Sequence, residues 1–558
     1  MLETPLSNES DYQLYLYEKL KKHVQSSAVE KTFLKSYFPS VLDIYTLGLT
    51  IVVGGQYFGW NFGLDTGFLG AFFHLIIIGT GYTMLVFCNA EITSAMPFAG
   101  GAYGLARITL GEYIGFMVGM SEALEYTIYV ACSAATLSDM IFHIIEFDEK
   151  MFHIIILFDF LFFVISLLIM TFAGKYYWKF STIIGLLSTF VLILYFFGAL
   201  AHVNFSRYAM NSLHKGFEGS FSLWMERLPL AAWWFVGIEA VSFSADEIKD
   251  PKKTLPVAML SCVLTLFSTA FLVLFSSCSY PPGTEVLASE AFPLTYLFAD
   301  MFNTSLGYAN ILALPAIFAT AFGFMYPVGK LLSSMAMSNL LPSVLQTMTY
   351  DGVPYVCLLL ASTVSFAITV FLHFYPLFFA WFFNLCMLFA SCAYISQAVG
   401  YLRLQDKFSS VDRGYKSPFG KVGSYLCIFA FTMCIISILG FQEDYTVVGA
   451  FITVHFSFSI YYFTIAESSQ KLSLEEERAH LALLIIKYKK EIEYRKNIMG
   501  AYHERSRSSN SSNSKNDSSR PESSSLQLSY EDSSPTDIPL GELQIRNPVI
   551  SSHSGGDQ

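Results

Sequence analysis

Residues 50–64 read Thr50-Ile-Val-Val-Gly-Gly-Gln-Tyr-Phe-Gly-Trp-Asn-Phe-Gly-Leu64, an apolar segment interrupted by glycines and amides. A second interrupted apolar segment reads Trp233-Trp-Phe-Val-Gly-Ile-Glu-Ala-Val-Ser-Phe-Ser-Ala-Asp-Glu247. Non-helical backbone is tolerated in a bilayer only where it lines a protein cavity, because lipid cannot hydrogen-bond free amides and carbonyls. Glycines also serve close helix–helix packing in membranes, which is the alternative explanation. We predict helix breaks at Gly54, Gly55 and Gly237.

The composition around these segments is that of a membrane protein. Of the 558 residues, 54% are apolar and 14% are charged, whereas soluble proteins carry about 25% charged residues. About twelve apolar windows are long enough to cross a bilayer core of ~30 Å, and we call them spans 1–12. They are expected near 41–64, 68–95, 113–142, 151–173, 178–200, 225–247, 255–279, 307–338, 354–373, 376–402, 421–440 and 444–465. The sequence therefore predicts an all-α polytopic membrane protein.

The two interrupted segments fall in spans 1 and 6, so each opens one half of a five-plus-five arrangement of helices. Broken helices at corresponding places in two halves are the sequence mark of an inverted-repeat secondary transporter, whose solute site lies at the breaks. Free carbonyls at such breaks bind cations, and half-helix N-termini bind anions. We therefore predict a solute site between spans 1 and 6.

Charges in the loops predict the orientation. One set of loops is rich in basic residues: Arg107, Lys175, Lys179, Lys249, Lys252, Lys253, Arg403, Lys407, Arg413, Lys416 and Lys421. The opposite set is mainly acidic: Glu146, Asp148, Glu149, Glu285, Glu290, Glu443 and Asp444. The positive-inside rule places the basic set and both termini in the cytosol. The plasma membrane is the location expected for this class of protein.

Four regions follow from these patterns. Residues 1–40 are predicted to be a cytosolic N-terminal segment, and residues 41–466 the transmembrane domain. The sequence Ser473-Leu-Glu-Glu resembles a capping box that opens a cytosolic amphipathic helix over residues 470–500. This helix is expected either to bind a cytosolic partner or to pack on the protein's own loops. Residues 505–558 are rich in serine and charge and are predicted to be a disordered cytosolic tail.

Several function classes are excluded by missing motifs. The chain has no basic stripe that would bind nucleic acid, and its nine cysteines form no CxxC pair or metal-spaced cluster. No HExxH, GxSxG or nucleotide-binding loop is present. We therefore expect neither an enzyme nor a metal or cofactor site, apart from a coupling ion, H⁺ or Na⁺. The expected partners are a small-molecule solute and the lipid bilayer.

Two motifs resemble the amino acid–polyamine–organocation (APC) superfamily. The sequence Phe235-Val-Gly-Ile-Glu-Ala-Val-Ser-Phe-Ser-Ala-Asp-Glu-Ile-Lys-Asp-Pro-Lys-Lys-Thr-Leu-Pro256 resembles its sixth-span motif, and Pro97-Phe-Ala-Gly-Gly-Ala-Tyr103 resembles the loop after its second span. The resemblance covers roughly residues 40–465. It implies a LeuT-like 5+5 inverted repeat in which spans 1, 3, 6, 8 and 10 surround the solute.

Within the superfamily, the chain is similar to the ethanolamine permease group. The similar stretches are Gly59-Trp-Asn-Phe-Gly-Leu64, Phe87-Cys-Asn-Ala-Glu-Ile92, Gly101-Ala-Tyr-Gly-Leu-Ala-Arg107 and Glu122-Ala-Leu-Glu-Tyr126. By resemblance to the arginine/agmatine antiporter of the superfamily, the solute ammonium would contact the carbonyls of Tyr57, Trp233 and Val236. Trp233 would occupy the place of that relative's gating tryptophan.

The first break departs from the amino-acid-transporting members. They carry a Gly-Ser/Ala-Gly turn whose amides hold the solute carboxylate, whereas this chain has Gly59-Trp60-Asn61 there. A tryptophan crowds a carboxylate but offers its ring face to a cation, worth about 0.5–2 kcal/mol, and Asn61 can hydrogen-bond a hydroxyl. These residues favour a small amino alcohol, unless Trp60 points away and packs against other aromatic residues.

Carboxyl groups within the spans are the other candidates, because an unpaired charge there costs at least ~2.5–3.5 kcal/mol. Glu122 and Glu125 are three residues apart on one helix face and are expected to share a proton or to serve different partners. Glu125 is the predicted counter-ion of the ammonium, and Glu239 is the predicted proton-coupling acid. Neutral glutamates hydrogen-bonded between helices are the alternative, for Glu91 as well.

Together these features predict a symporter or exchanger that moves a small organic amine, with ethanolamine as the expected solute. An amino acid or polyamine permease is the alternative within the superfamily. A nutrient sensor that signals through its cytosolic tail is the alternative of a different class. Some proton-coupled relatives carry a lysine in span 5, where this chain has Ser188 and Thr189, so the coupling ion stays open.

Overall fold

The computed structural model describes residues 37–97, 100–145, 152–172, 174–210, 217–407, 413–473 and 476–477. Most of the predicted N-terminal segment, most of the predicted helix over 470–500 and the whole serine-rich tail lie outside these residues. The described part of the chain contains helices and turns and no β-strand. The predicted all-α class is therefore confirmed.

Ten described helices are long and apolar enough to cross a membrane. They correspond to spans 2–5 and 7–12: Gly67–Ala95, Glu112–Ile144, Phe152–Phe172, Lys175–Ala199, Pro251–Cys278, Leu314–Met337, Tyr355–Phe374, Phe378–Lys407, Gly420–Gly440 and Thr446–Tyr461. The remaining two predicted spans are the interrupted ones. Span 8 begins later than its apolar window, because Leu306–Ala309 and Asn310–Leu312 form separate short turns before it.

Spans 1 and 6 are broken near their middles. Span 1 consists of an α-helix at Val41–Val52, a 3₁₀ turn at Val53–Gln56 and a second 3₁₀ segment at Trp60–Thr66. Span 6 consists of Phe221–Arg227, a 3₁₀ segment at Leu228–Trp234 and another at Ile238–Ser244. Between the halves, Gly59 has φ +85° and Gly237 has φ +92°, a region that only glycine enters readily.

The long helices pack in the pairs that a five-plus-five repeat produces. Span 2 packs along span 7, and span 3 packs along span 8, while span 10 lies between spans 3 and 11. Span 12 lies at the periphery, since only 6% of its apolar window is buried. Its exposed isoleucine and phenylalanine side chains suit a lipid environment, because lipid is as apolar as they are. The broken spans therefore lie inside a shell of continuous helices.

The helix Gly101–Leu110, between spans 2 and 3, binds the segment that follows span 12. Glu476 accepts hydrogen bonds from Arg107 at 2.8 and 2.9 Å, from the Tyr103 hydroxyl at 2.8 Å and from the Ser338 hydroxyl at 2.7 Å. The Ser473 amide donates to Glu476 at 2.7 Å, and the Glu476 amide donates to the Ser473 hydroxyl, which are the two bonds of a capping box. The beginning of the segment after span 12 is thus packed on the protein itself.

Candidate functional site

The two breaks touch each other, and glycines in span 1 make the contact possible. A Cβ atom on Gly55 would overlap the Trp233 carbonyl oxygen, and one on Gly59 would lie 2.7 Å from the Trp233 ring nitrogen. The Gln56 side-chain amide donates to the carbonyls of Leu266 at 2.9 Å and Trp234 at 3.3 Å. Gln56 thereby joins span 1 to spans 6 and 7 at the level of the breaks.

Trp233 is enclosed by aromatic rings from three other spans. Its ring stacks on Phe383 of span 10 at 4.8 Å between centroids, lies 4.8 Å from Phe58 of span 1 and meets Tyr129 of span 3 edge-on at 5.8 Å. The side chain is 1% exposed. A solute that approaches the breaks past these rings must therefore displace Trp233 or the rings around it.

Tyr57 and Val236 lie beside the breaks, as their sequence positions require. The Tyr57 hydroxyl donates to the Ser188 carbonyl at 2.6 Å and so ties the first break to span 5. The Val236 amide donates to Ala232 at 2.9 Å and continues the helical pattern up to Gly237. Carbonyl contacts from Tyr57, Trp233 and Val236 to a solute ammonium stay a prediction.

Trp60 and Asn61 are engaged by other parts of the protein. The Trp60 ring packs on Trp234 at 4.4 Å, and its ring N–H donates to the Gln56 carbonyl at 3.1 Å. Asn61 donates both amide hydrogens to the loop before span 8, at Leu287 (2.8 Å) and Glu290 (2.7 Å). Its buried side-chain oxygen has no hydrogen-bond partner among the described residues. The predicted roles of both residues in solute binding stay predictions.

The amide groups of the first break are partly used inside the protein. The Gly54 amide donates to the Thr320 hydroxyl of span 8 at 2.8 Å. A Cβ on Gly54 would also lie within 2.8 Å of atoms of Thr320 and within 2.6 Å of the Ala316 carbonyl oxygen. Gly54 therefore allows span 8 to approach span 1, and its amide is not available to a solute carboxylate in this conformation.

Three buried carboxyl groups meet at the second break. The Tyr126 hydroxyl lies 3.1 Å from an oxygen of Glu122 and 2.9 Å from an oxygen of Glu239. The Tyr394 hydroxyl of span 10 bonds Glu125 and lies 3.3 Å from the same oxygen of Glu239. These groups form a continuous chain in the order Glu122, Tyr126, Glu239, Tyr394, Glu125, and we call it the acidic chain.

The acidic chain lacks hydrogens for all its contacts. Its three glutamates are at most 1% exposed, and each keeps a second buried oxygen without a hydrogen-bond partner in the described part of the protein. Two tyrosine hydroxyls supply one hydrogen each, so they can satisfy only two of the four contacts. Added protons or a cation would satisfy the remaining contacts, since three buried carboxylates close together are costly.

The sequence placed the three glutamates in the right spans but did not reveal their partners. Tyr126 ends one of the stretches that are similar to the ethanolamine permease group, and no role was predicted for it. Tyr394 lies in span 10, one of the spans that the superfamily resemblance places around the solute. Its position in that span was the one indication from the sequence that Tyr394 could belong to the site. Gln56 has no role predicted from the sequence, and its bonds across the breaks join residues more than 170 positions apart in the chain.

Glu91 has a different environment from the acidic chain. It bonds Arg413, accepts from Tyr401 at 2.6 Å and Gln405 at 2.7 Å, and accepts from the Ser417 amide at 2.9 Å. These contacts tie the end of span 2 to the connection between spans 10 and 11. Glu91 is thus held in an ion pair with a residue of the connection between spans 10 and 11.

Two broken helices are in contact, and buried acids lie at one of the breaks; broken helices of this kind form the solute sites of secondary transporters. The chain belongs to the amino acid permease family, whose model matches residues 50–467. Because the family and the relatives below are transporters, the expectation that the protein is not an enzyme is confirmed. The resemblance to the APC superfamily is confirmed at this level, and the narrower ethanolamine group is not.

Curated relatives are distant and carry several names. An uncharacterized transporter of Rhizobium meliloti is 26% identical over 54% of this chain and 65% of its own length. The lysine-specific permease of Lactococcus lactis is 23% identical over 63% of this chain and 72% of its own length. The methylthioribose transporter of Bacillus subtilis is 24% identical over 58% of this chain and 71% of its own length. The match thus spans just under two thirds of the Rhizobium protein.

Proposed function

We propose that this protein is a secondary transporter of a small organic amine, with ethanolamine as the representative solute. The observation that carries the proposal is the acidic chain at the second break. It presents buried carboxyl oxygens without partners next to the backbone where a solute would bind. The solute ammonium would bind Glu125, and Trp233 would cover it with an aromatic ring face.

The first break supports an amine over a zwitterion. The Gly54 amide is bound to Thr320, so one of the groups that would hold a carboxylate is already used. Asn61 retains a buried oxygen without a partner, which accepts a hydrogen bond from a solute hydroxyl. An ammonium at the acidic chain and a hydroxyl toward span 1 together describe an amino alcohol.

Coupling of solute transport to protons would use the acidic chain. Glu239 contacts both tyrosines, so a proton on Glu239 satisfies one of the contacts that the tyrosine hydrogens leave open. Binding of the ammonium at Glu125 would favour release of that proton, because a nearby positive charge stabilises the carboxylate form of Glu239. Transport is then proton-coupled. Sodium coupling is the alternative, because the Ser188 and Thr189 hydroxyls donate to carbonyls of their own helix at 2.7 and 2.9 Å and keep lone pairs that would ligate the ion.

A cationic amino acid is the second candidate solute. Lysine-specific permeases occur among the relatives, and a second ammonium on such a solute would also be neutralised by the acidic chain. The two candidates differ in one group: the amino acid needs a partner for its carboxylate, and ethanolamine does not.

Uptake into proteoliposomes tests the proposal. We would compare radiolabelled ethanolamine, choline, L-lysine and L-leucine, with and without imposed proton and sodium gradients. We expect saturable ethanolamine uptake that follows the proton gradient, loss of uptake in Glu125→Gln and loss of pH dependence in Glu239→Gln. Glu443→Gln, which changes an exposed acid in a loop, is the matched control. Full uptake of lysine without uptake of ethanolamine would overturn the amine assignment.

Location and orientation complete the proposal. The lysine-rich loops and both termini would face the cytosol, and the protein would act in the plasma membrane. Thiol labelling of single cysteines introduced in the loop at Lys416 and in the loop at Glu443, on intact cells, would test this orientation. Labelling of the Lys416 position by an impermeant reagent would show that this loop faces the outside of the cell, which would contradict the proposed orientation.

A further inference from the structure

A cavity lies away from the breaks, on the side predicted to face the cytosol. It has a volume of about 90 Å³ and lies between the start of span 5, the end of span 6, span 8 and the turn before span 9. We call this cavity the vestibule. The residues used below line it: Tyr177, Trp178, Glu247, Tyr326 and Lys330. Tyr37, just before span 1, also lines it, so the vestibule adjoins the same end of both broken spans.

Aromatic rings form one wall of the vestibule. The rings of Tyr177 and Tyr326 stack at 5.7 Å with 18° between their planes, and Trp178 meets Tyr326 edge-on at 6.0 Å. The three rings come from spans 5 and 8, so the wall is held by helices rather than by a loop. Ring faces in such a group attract organic ammonium ions.

A carboxyl group in the vestibule already binds an alkylammonium. The Lys330 ammonium lies 2.5 Å from an oxygen of Glu247 and 3.1 Å from Asp246, and it sits 5.8 Å from the centre of the Tyr326 ring. The Tyr326 hydroxyl donates to Glu247 at 3.1 Å. Two acids and the ring of Tyr326 therefore surround a primary ammonium, which is the chemistry that a free amine would require.

Tyr177 supplies the observation that points to a further ligand. Its side chain is 6% exposed and lines the vestibule. Its hydroxyl has no hydrogen-bond partner among the residues that the structure describes. A buried hydroxyl without a partner is unfavourable, and a ligand oxygen in the cavity would satisfy it.

We propose that the vestibule is a second binding site, for a small organic ammonium that also carries a hydroxyl group. The ligand's ammonium exchanges with Lys330 at Glu247 beneath the aromatic wall, and its oxygen pairs with the Tyr177 hydroxyl. Lys330 keeps Asp246 as its partner during this exchange. The inference deepens the proposed function, because the solute released at the breaks would pass this site before it reaches the predicted cytosolic side.

Equilibrium binding of radiolabelled ethanolamine to the purified full-length protein tests the proposal. The wild-type protein should bind two molecules, one in each site. Glu125→Gln should remove the site at the breaks and keep the other. Adding Tyr177→Phe to it should weaken the remaining binding about tenfold, because one hydrogen bond is lost. Tyr176→Phe, which alters the neighbouring tyrosine that is 61% exposed, is the matched control and should change nothing.

The outcomes separate this inference from the proposed function. Absence of ethanolamine binding to the Glu125→Gln protein, or binding unaffected by Tyr177→Phe, would overturn the vestibule site even if the wild-type protein transports ethanolamine. Binding in the vestibule without uptake into proteoliposomes would overturn the proposed function and support the second site. Because Tyr177→Phe leaves the Lys330 ion pair unchanged, folding of the variant is not at risk.

Discussion

The Arg107–Glu476 ion pair gives the sharpest prediction about stability. The two side chains are 2% and 0% exposed, and Glu476 receives bonds from Arg107, Tyr103, Ser338 and Ser473. Glu476→Gln has almost the same shape but removes the negative charge, so a buried guanidinium loses its partner. Breaking a buried pair in this way costs about 3–5 kcal/mol. We therefore expect Glu476→Gln to be strongly destabilising.

The buried cysteines provide the assay. Eight of the nine cysteines are buried, so a thiol-reactive fluorophore in detergent reports unfolding as these thiols become accessible. If the whole loss of unfolding free energy lowers the barrier to unfolding, the unfolding rate rises about 10²- to 10⁴-fold. Cys392, which is partly exposed, should be replaced by serine in every protein compared, because its reaction precedes unfolding.

Two further variants decide whether charge is the reason. Asp250→Asn breaks the exposed pair with Lys253, whose side chain is 85% exposed, and should leave the unfolding rate unchanged. Arg107→Met combined with Glu476→Met removes both charges and should recover part of the loss, because the buried charge is gone while the donors to Glu476 still lose their acceptor. An unfolding rate of Glu476→Gln within threefold of wild type, on the order of 0.6 kcal/mol, would refute the reasoning. So would a double variant that is no more stable than the single one.

Two substitutions test the contacts around the first break. Gly55→Ala should abolish the folded protein in size-exclusion chromatography, because its Cβ would overlap the Trp233 carbonyl oxygen. Gly63→Ala should be tolerated, since the nearest atom to its Cβ is 3.7 Å away. Equal behaviour of the two variants would contradict the packing of the breaks. Asn61→Asp should raise the thiol-reaction rate, because it turns a donor to two carbonyl oxygens into an acceptor that repels them, at about 1–3 kcal/mol for each lost bond. Asn61→Asp with wild-type stability would show that these bonds do not hold the loop.

The architecture followed from the sequence because both of its signals are local. The length of the apolar windows predicted the ten continuous helices, and the glycines within two further windows predicted the broken ones. The predicted positions of the breaks were close but not identical to the observed ones. Gly54 and Gly55 lie in a 3₁₀ turn, and the positive φ of span 1 falls on Gly59. Sequence shows which span is broken, whereas the turning point depends on where Trp233 packs against it.

The site was less predictable, because its bonds join distant parts of the chain. Tyr394 and Glu125 are 269 residues apart, and Tyr126 and Glu239 are 113 apart. Hydropathy and helical periodicity carry no information about such pairs. The cost of burying an acid was readable from sequence and correctly singled out Glu122, Glu125 and Glu239 as residues that need partners. The identity of those partners required the packing of spans 3, 6 and 10.

Trp60 is the residue on which the sequence-based hypothesis and the geometry differ most, and one substitution separates them. Its ring packs on Trp234, and its N–H is bound to the Gln56 carbonyl. If Trp60 covers the solute ammonium, Trp60→Phe should raise KM for ethanolamine, because phenylalanine is a weaker partner for a cation than tryptophan. If Trp60 only packs, KM should stay unchanged while thermal stability falls by the loss of one hydrogen bond, about 0.5–1.5 kcal/mol. We expect the second result, and we expect Trp233→Phe to raise KM instead, because Trp233 lies directly against Gly59 at the break. A raised KM in Trp60→Phe with KM unchanged in Trp233→Phe would return the aromatic role to Trp60.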